Sequence, residues 1–542
     1  MHRVGVRLLG AVVASAAAVA MVTVPAGGPP TAAAAPQLSW GPCAKIHSAK
    51  GAQCATIAVP RDYAKPNGPT ITVTISRIPA RDQAHKMGVL VGNPGGPGGD
   101  ALGLFSWAAP PAAVQDRFDL VAVQPRGLVG GTALKCAKFN AANDFVAVTN
   151  YGAINRDRCE AASPGYPATL TTENAARDIE MARHALGVNK LSLYGISYGT
   201  TLMATYATLF PQHTDRLVLD SAVNPNGIWN RVGSDQTPGY KGRVNAMMAW
   251  IAAHDNLYHL GATPLAVYRK WSARVEKEAG VPPSLAAPPA QVGDVPPGLK
   301  AWSQQYIAGV NLTADARARY ENFVATMLTP GGDQSKSAML TATRTVAPDR
   351  NYWPLIALRL SNMVPRRKAV KPTPDEVAAE TASNNMQTIL MCNENQYPAQ
   401  PAQIPAALFA NLVVSDVFEA PGLFWESGIA CAATTPRVRP VVTSNRGLAV
   451  TPLLINSVDD PQTPYRGAMV LRRAMGAHLI TVGGGDHGQL ARGNRPLDAA
   501  ISQYLITGRT AVTAAPQAPI TTPLNRLPTT SGSSSERFGY GW

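Results

Sequence analysis

Leu191-Ser192-Leu193-Tyr194-Gly195-Ile196-Ser197-Tyr198-Gly199 is the stretch on which the fold turns. Residues 191–194 form a short run suited to a buried strand. A Gly-x-Ser-x-Gly turn follows, and residues 198–210 then read as a helix rich in small side chains, ended by Pro211. The pentapeptide alone carries little, since it arises readily by chance in a Gly- and Ser-containing chain. The strand running in and the helix running out give it meaning. In such a turn the glycines make room, the serine is held exposed, and the helix points its positive end at the hydroxyl.

Outward from that turn, the same rhythm repeats. Short apolar runs occur at 88–92, 118–123, 191–194, 216–219, 452–455 and 479–482. Runs of this length suit strands buried on both faces of a parallel sheet covered by helices. Residues 172–186 carry one helical stripe, Ala176, Ile179, Ala182 and Leu186, stopped by Gly187. Alternating β and α elements predict a doubly wound α/β sheet. Ahead of it, 54–59 and 70–78 read as paired strands. Between the fourth and fifth apolar runs, residues 226–445 are mostly helical in character, interrupted by a Pro-rich loop at 281–297. An insertion there sits above the C-terminal ends of the strands, where α/β sheets bind ligands, and is expected to act as a cap or lid. The expected organisation is a core over 36–225, the cap over 226–445, and the rest of the core over 446–510. Residues 511–542, rich in Pro, Thr, Ser and Gly, read as a flexible tail.

A serine hydroxyl is a weak nucleophile unless a base, usually histidine oriented by a carboxylate, takes its proton. After a nucleophile elbow the partners follow in the order acid, then histidine. His487, in Gly485-Asp486-His487-Gly488 after the last apolar run, is the one histidine with that placement in a Gly-rich loop. His184, His254 and His259 fall in helical stretches. For the acid, Asp459 and Asp460 both follow the 452–455 run, with Asp460 favoured because it directly precedes Pro461. Asp486 is a third carboxylate nearby. The oxyanion of acyl transfer needs backbone N–H donors. Tyr198, after the serine, is one. The other is expected from Asn93-Pro94-Gly95-Gly96-Pro97-Gly98-Gly99, with Gly96 preferred over Gly95. The whole reads as a serine hydrolase of the α/β-hydrolase class: a mostly parallel sheet with a large, mainly helical cap inserted before the last strands.

The chain has 542 residues, 46% of them apolar and 15% charged, with a net charge of +14. That charge is scattered, its longest run being Arg366-Arg367-Lys368, so it reads as a solvated basic surface and no nucleic-acid partner is expected. His2, Arg3 and Arg7, an apolar stretch over 8–24 and small residues at 32–35 read as a secretory signal over 1–35. A secreted, extracellular protein with no stable membrane insertion is expected. Six cysteines in an exported chain predict three disulfides, and fifteen pairings are open; nearest-neighbour pairing is the simplest. No HExxH and no clustered Cys/His set occurs, so no metal or organic cofactor is implied.

Together these residues resemble the secreted tripeptidyl aminopeptidase-like serine peptidases, relatives of prolyl aminopeptidase. The resemblance runs over nearly all of the chain beyond the signal. It is carried by Trp40 and Cys43, by Val59-Pro60-Arg61-Asp62-Tyr63, by the 93–98 loop and by residues 172–220. It continues in Met391-Cys392-Asn393-Glu394, Asp460-Pro461-Gln462-Thr463-Pro464 and Asp486-His487-Gly488. It selects Asp460 over Asp459. It implies the pairs Cys43–Cys54, Cys136–Cys159 and Cys392–Cys431, and peptide substrates with free N-termini. Glu394 matches an acidic position of the family and is the expected partner of the substrate ammonium.

Two departures stand out. Gln124-Pro125-Arg126-Gly127 replaces the usual Asp-Pro-Arg-Gly, which puts in doubt a bond near the oxyanion loop. Asp486 stands where a small residue is usual, and a carboxylate beside the base is expected to shift the pH optimum.

Overall fold

The computed structural model describes residues 38–44, 49–364 and 371–526. The expected signal over 1–35, the Arg366–Lys368 patch and residues 527–542 lie outside them. The strands are β1 (Gly41–Pro42), β2 (Gln53–Pro60), β3 (Thr70–Ile78), β4 (Gly88–Asn93), β5 (Phe118–Val123), β6 (Leu191–Ser197), β7 (Thr214–Ala222), β8 (Leu453–Ser457), β9 (His478–Val482) and β10 (Ala514–Ala515). They form one sheet in the order β1-β2-β3-β5-β4-β6-β7-β8-β9-β10. Pairing is antiparallel through β1, β2, β3 and β5, and parallel from β5 and β4 to β10.

Burial follows pairing. β2 alternates buried and exposed residues, as an antiparallel strand with one wet face does, whereas every residue of β5 and β8 is buried. Along β4, Val89 and Val91 face one apolar layer and Leu90 the other. The first layer holds α1 (Thr172–Ala185) and α2 (Tyr198–Leu209), and the second holds the C-terminal helix Arg495–Thr507. α1 starts where Thr171 accepts a hydrogen bond from Asn174 N–H at 3.1 Å, a cap that contributes about 1 kcal/mol. It buries Ala175, Ala176, Ile179 and Ala182, and the chain leaves it at Gly187 with φ 68°. α2 is buried from Tyr198 to Thr208, so it needs its small residues to pass between sheet and α1.

β4 lies between β5 and β6. The connections leaving its two sides diverge there, which opens a crevice above the strand ends. The loop after β4 and the serine after β6 meet at that crevice.

Between β7 and β8 the chain is largely helical, including α3 (Trp229–Ala252), α4 (Pro264–Ala279), α5 (Ser303–Leu328) and α6 (Pro374–Glu394). α3 and α4 share an apolar core of their own with Trp353 and Ile356, in which Val244, Met247, Ile251, Trp271 and Val275 are fully buried. Disulfides join Cys43–Cys54, Cys136–Cys159 and Cys392–Cys431. Three such bonds fit an oxidising compartment. Among the described residues no helix is long and apolar enough to cross a membrane.

The expected flexible tail needs correction. Ala514 and Ala515 extend the sheet beside Thr481 and Val482. Asn494 donates to Pro516 O at 2.8 Å, and Tyr258 to Leu524 O at 2.8 Å. Residues 511–526 are therefore held by the free edge of β9 and by the helical insertion, despite their Pro- and Thr-rich composition.

Candidate active site

Ser197 ends β6 and occupies the cap position of α2 with φ 57° and ψ −128°. Positive φ in a non-glycine residue costs on the order of 1–3 kcal/mol and persists only where the surroundings enforce it. They do so here. A Cβ on Gly195 would lie 2.3 Å from Gly199 O, and one on Gly199 2.4 Å from Asn93 O. The Ser197 hydroxyl does not cap its own helix, which leaves it for other chemistry.

Asp460 and His487 stand after β8 and β9, on the same edge of the sheet. His487 Nδ1 lies 2.9 Å from Asp460 Oδ2 and 3.1 Å from Oδ1. A proton on Nδ1 for that carboxylate leaves Nε2 as the basic nitrogen. Asp460 Oδ1 also accepts from Gln462 N–H (2.9 Å) and Thr463 N–H (3.0 Å), and Oδ2 from the Thr463 hydroxyl (2.8 Å). Burial by itself raises the carboxyl pKa. The His487 charge and these donors outweigh it and hold Asp460 below the usual carboxylate range. Asp459 is exposed while Asp460 is 2% exposed, so the structure pairs the second of the two aspartates with the histidine. A Cβ at Gly488 would touch Ile196 Cγ2 at 3.3 Å. The residue after His487 thus lies against the residue before Ser197.

The 93–99 loop closes on the other side. A Cβ on Gly95 would stand 2.9 Å from both Ser197 Cβ and Tyr198 N. Gly95 N–H is donated to Asn93 Oδ1 at 2.9 Å, whereas among the described residues nothing accepts from Gly96 N–H. That difference separates the two glycines as candidate oxyanion donors, and Tyr198 N–H lies at the start of α2 beside them. The insertion braces this loop from above: Ser383 donates to Gly98 O (2.8 Å) and Gln387 to Pro97 O (3.0 Å), both from α6. The departure at Gln124 is resolved as a brace. Its Oε1 accepts from Ala101 N–H (2.9 Å), and its Nε2 donates to Asp100 Oδ1 (2.8 Å) and Val129 O (2.8 Å).

Sequence reasoning missed the groups that hold the His487 loop. Asp220, at the end of β7, accepts through Oδ2 from Gln489 N–H (2.7 Å), Leu490 N–H (3.3 Å) and the Tyr194 hydroxyl (2.6 Å). Burial drives its pKa up against those donors. Ser221, at φ 54°, accepts from Gly488 N–H at 2.8 Å. Arg492 donates to the carbonyls of His487 and Gly488 and pairs with Asp349. His487 N–H itself donates to Pro348 O at 2.9 Å. A charged residue closing the apolar run 216–219 was the one available signal for Asp220.

Two expectations change. Asp486 was expected to act on the base; its Oδ1 instead pairs with Arg243 of α3 at 3.1 Å and accepts from Arg350 N–H at 2.8 Å. Glu394 was expected to meet a substrate ammonium. It is 2% exposed, and both oxygens are engaged by Thr172, Oε1 by the backbone N–H and Oε2 by the hydroxyl at 2.8 Å. The Thr172 hydroxyl also meets Tyr198 OH at 2.8 Å. Glu394 thus caps α1 and ties α6 to the elbow. Burial pushes its pKa up to about 7.

The chain matches the family model described as alpha/beta hydrolase fold over residues 88–320, and the one described as TAP-like protein over 416–515. It is 29% identical over 523 residues to the tripeptidyl aminopeptidase of Streptomyces lividans, spanning 89% of this chain and 87% of that one. It is 26% identical over 499 residues to serine protease Hip1 of Mycobacterium tuberculosis (87% and 89% of the two chains). It is 28% identical over 503 residues to carboxylesterase B of the same organism (88% of each). A serine on a strand-to-helix elbow of an α/β sheet, in a chain with these relatives, defines a serine hydrolase. The chain carries the α/β-hydrolase fold, and over residues 416–515 it is similar to the TAP-like proteins.

Proposed function

We propose that the protein is a secreted serine aminopeptidase that releases short peptides, tripeptides foremost, from free N-termini through an acyl-enzyme on Ser197. One observation carries the chemistry: His487 Nδ1 sits on the buried Asp460 carboxylate at 2.9 Å, on the sheet edge where the elbow holds the half-buried Ser197. His487 Nε2 takes the Ser197 proton as Oγ attacks the scissile carbonyl. Tyr198 and Gly96 N–H groups meet the oxyanion. The imidazolium then protonates the leaving amine, and a water activated by the same nitrogen releases the acyl group.

The choice of substrate rests on likeness over most of the chain to a tripeptidyl aminopeptidase. The helical insertion is consistent with it, since α6 grips the oxyanion loop from the side where a cap would lie. A secretory signal over 1–35 and the three disulfides support export. The carboxylesterase relative favours a second reading, an ester hydrolase with the same triad. Tripeptidyl-naphthylamides with free and acetylated N-termini, assayed beside short-chain nitrophenyl esters, separate the two. Turnover of the free-amine peptide, lost on acetylation and in Ser197→Ala, is expected; activity confined to the esters overturns the peptidase reading.

A further inference from the structure

A cleft of about 360 Å3 opens beside the site. That is within the usual range of small-molecule sites, about 300–1,000 Å3. It begins at Ala222, which is paired in register with Ser197 across β6 and β7, and at Thr463, which binds Asp460. Its walls are apolar: Val223, Ile228, Val232, Pro464 and Val470. Its rim is charged and unbalanced. Asp235 pairs with Arg231 Nε at 3.0 Å and also with Arg466, so two guanidiniums share one carboxylate. Arg231 is further fixed by a bond to Tyr397 OH at 3.1 Å.

The position of the cleft fixes its role. The oxyanion loop follows β4, on one side of β6; the cleft lies on the other side, toward β7 and β8, the side on which the acid after β8 and the base after β9 stand. A leaving group takes its proton from the base and departs on the base's side. An apolar trough ending in surplus positive charge suits an apolar residue with a carboxylate, which an arginine fork binds bidentately. It does not suit an ammonium.

We propose that this cleft receives the departing end of a short peptide and that Arg466 and Arg231 bind its free C-terminal carboxylate, so that short peptides ending in an apolar residue are preferred substrates. This rests on the aminopeptidase reading above. The test compares kcat/KM for Ala-Ala-Ala-Ala-Leu as free acid and as C-terminal amide, with the amide of Ala-Ala-Ala-Ala-Glu as a third arm. In the wild type the acid is expected to exceed the Leu amide about tenfold, mostly through KM. In Arg466→Gln that ratio is expected to fall toward one. Recovery of rate by the Glu amide would assign the site to acidic side chains and overturn the C-terminal assignment. Equal rates for acid and amide in the wild type overturn the proposal as a whole, as does a ratio that Arg466→Gln leaves intact. Binding is read separately by calorimetry on Ser197→Ala: Ala-Leu is expected to bind at least tenfold more tightly than its amide, and equal affinities overturn the cleft. Failure of the wild type on any free-amine tripeptidyl-naphthylamide instead overturns the aminopeptidase reading, and leaves the calorimetric result to decide the cleft.

Discussion

Arg492 and Asp349 form an ion pair of 2.6 Å with side chains 4% and 0% exposed, and the same guanidinium donates to the His487 carbonyl at 2.5 Å. One residue follows the base in the core, and the other belongs to the helical insertion. The base is therefore placed partly by the cap. Burial lowers the Arg492 pKa, but Asp349 and the other nearby carboxylates outweigh it, so the guanidinium stays charged.

Breaking this pair is expected to act on turnover before it acts on binding. Arg492→Lys keeps the charge but loses the fork that spans two carbonyls and a carboxylate. A displacement of about 1 Å at a catalytic group costs on the order of a hundredfold. The expected outcome is a kcat lower by about tenfold to a hundredfold, with KM within about twofold. Asp349→Asn should show the same split. A thermal melt of each variant separates turnover from folding, because removing one member of a buried pair costs about 3–5 kcal/mol. Equal loss of kcat and folded protein would assign the pair to stability alone.

Asp220 gives a graded version of the same argument. Asp220→Ala takes the acceptor from Gln489 N–H and Leu490 N–H, each at about 1–3 kcal/mol. Asp220→Asn keeps an oxygen in reach of the two backbone donors. Labelling of Ser197 by a fluorophosphonate is therefore expected to slow by less than about tenfold in the Asn variant, and by about a hundredfold or more in the Ala variant. Equal rates in the two variants would remove Asp220 from the positioning of His487.

The frame of the fold was legible because it depends on local pattern. Val89, Leu90 and Val91 must be buried on both faces, and a run of that kind has few other homes than a central parallel strand. The stripe on α1 and the stop at Gly187 were equally local. Asp220 was hidden because a carboxylate at a strand end looks like any turn residue until the His487 loop folds over it. The surroundings of Glu394 were hidden for the opposite reason: its acidity was visible, but its partner, the start of α1, lies 222 residues away in the chain. Residues 511–526 were misread from composition, which cannot report that β9 offers an open edge.

Glu394 yields a prediction on pH. Its folded pKa of about 7 lies above the ordinary carboxylate value, so the neutral form is the one the fold prefers. Stability from this group is fully present below the unfolded value and is lost as pH rises through about 7. Glu394→Gln fixes a neutral side chain that can still accept from Thr172 N–H. Melting temperatures are therefore expected to converge for wild type and variant near pH 4, and the variant to be higher by a few degrees near pH 8. A variant that is less stable at both pH values would show that the ionised carboxylate is the working form. The same variant should keep its preference for free-amine substrates, because both carboxylate oxygens are engaged by Thr172.

Gln124 and Asp100 make a pair that can be reversed. The Gln124 amide needs an acceptor for its Nε2, and Asp100 Oδ1 at 2.8 Å supplies one, just past the oxyanion loop. Gln124→Glu replaces that donor by an oxygen facing both Asp100 and Val129 O. Two carboxylates and a carbonyl cannot satisfy one another, and an unmet buried acceptor costs about 1–3 kcal/mol. Activity and melting temperature should both fall. Asp100→Asn alone keeps an oxygen for Gly103 N–H, 3.1 Å from Asp100 Oδ2, but turns an amide against the Gln124 amide. When Asp100→Asn and Gln124→Glu are combined, the amide introduced by the first donates to the carboxylate introduced by the second, and the bond is restored with its direction reversed. The expected coupling is on the order of 0.5–3 kcal/mol in the melts, with kcat recovering beyond that of the Gln124→Glu single variant. Additive losses would mean that the two side chains brace the loop independently.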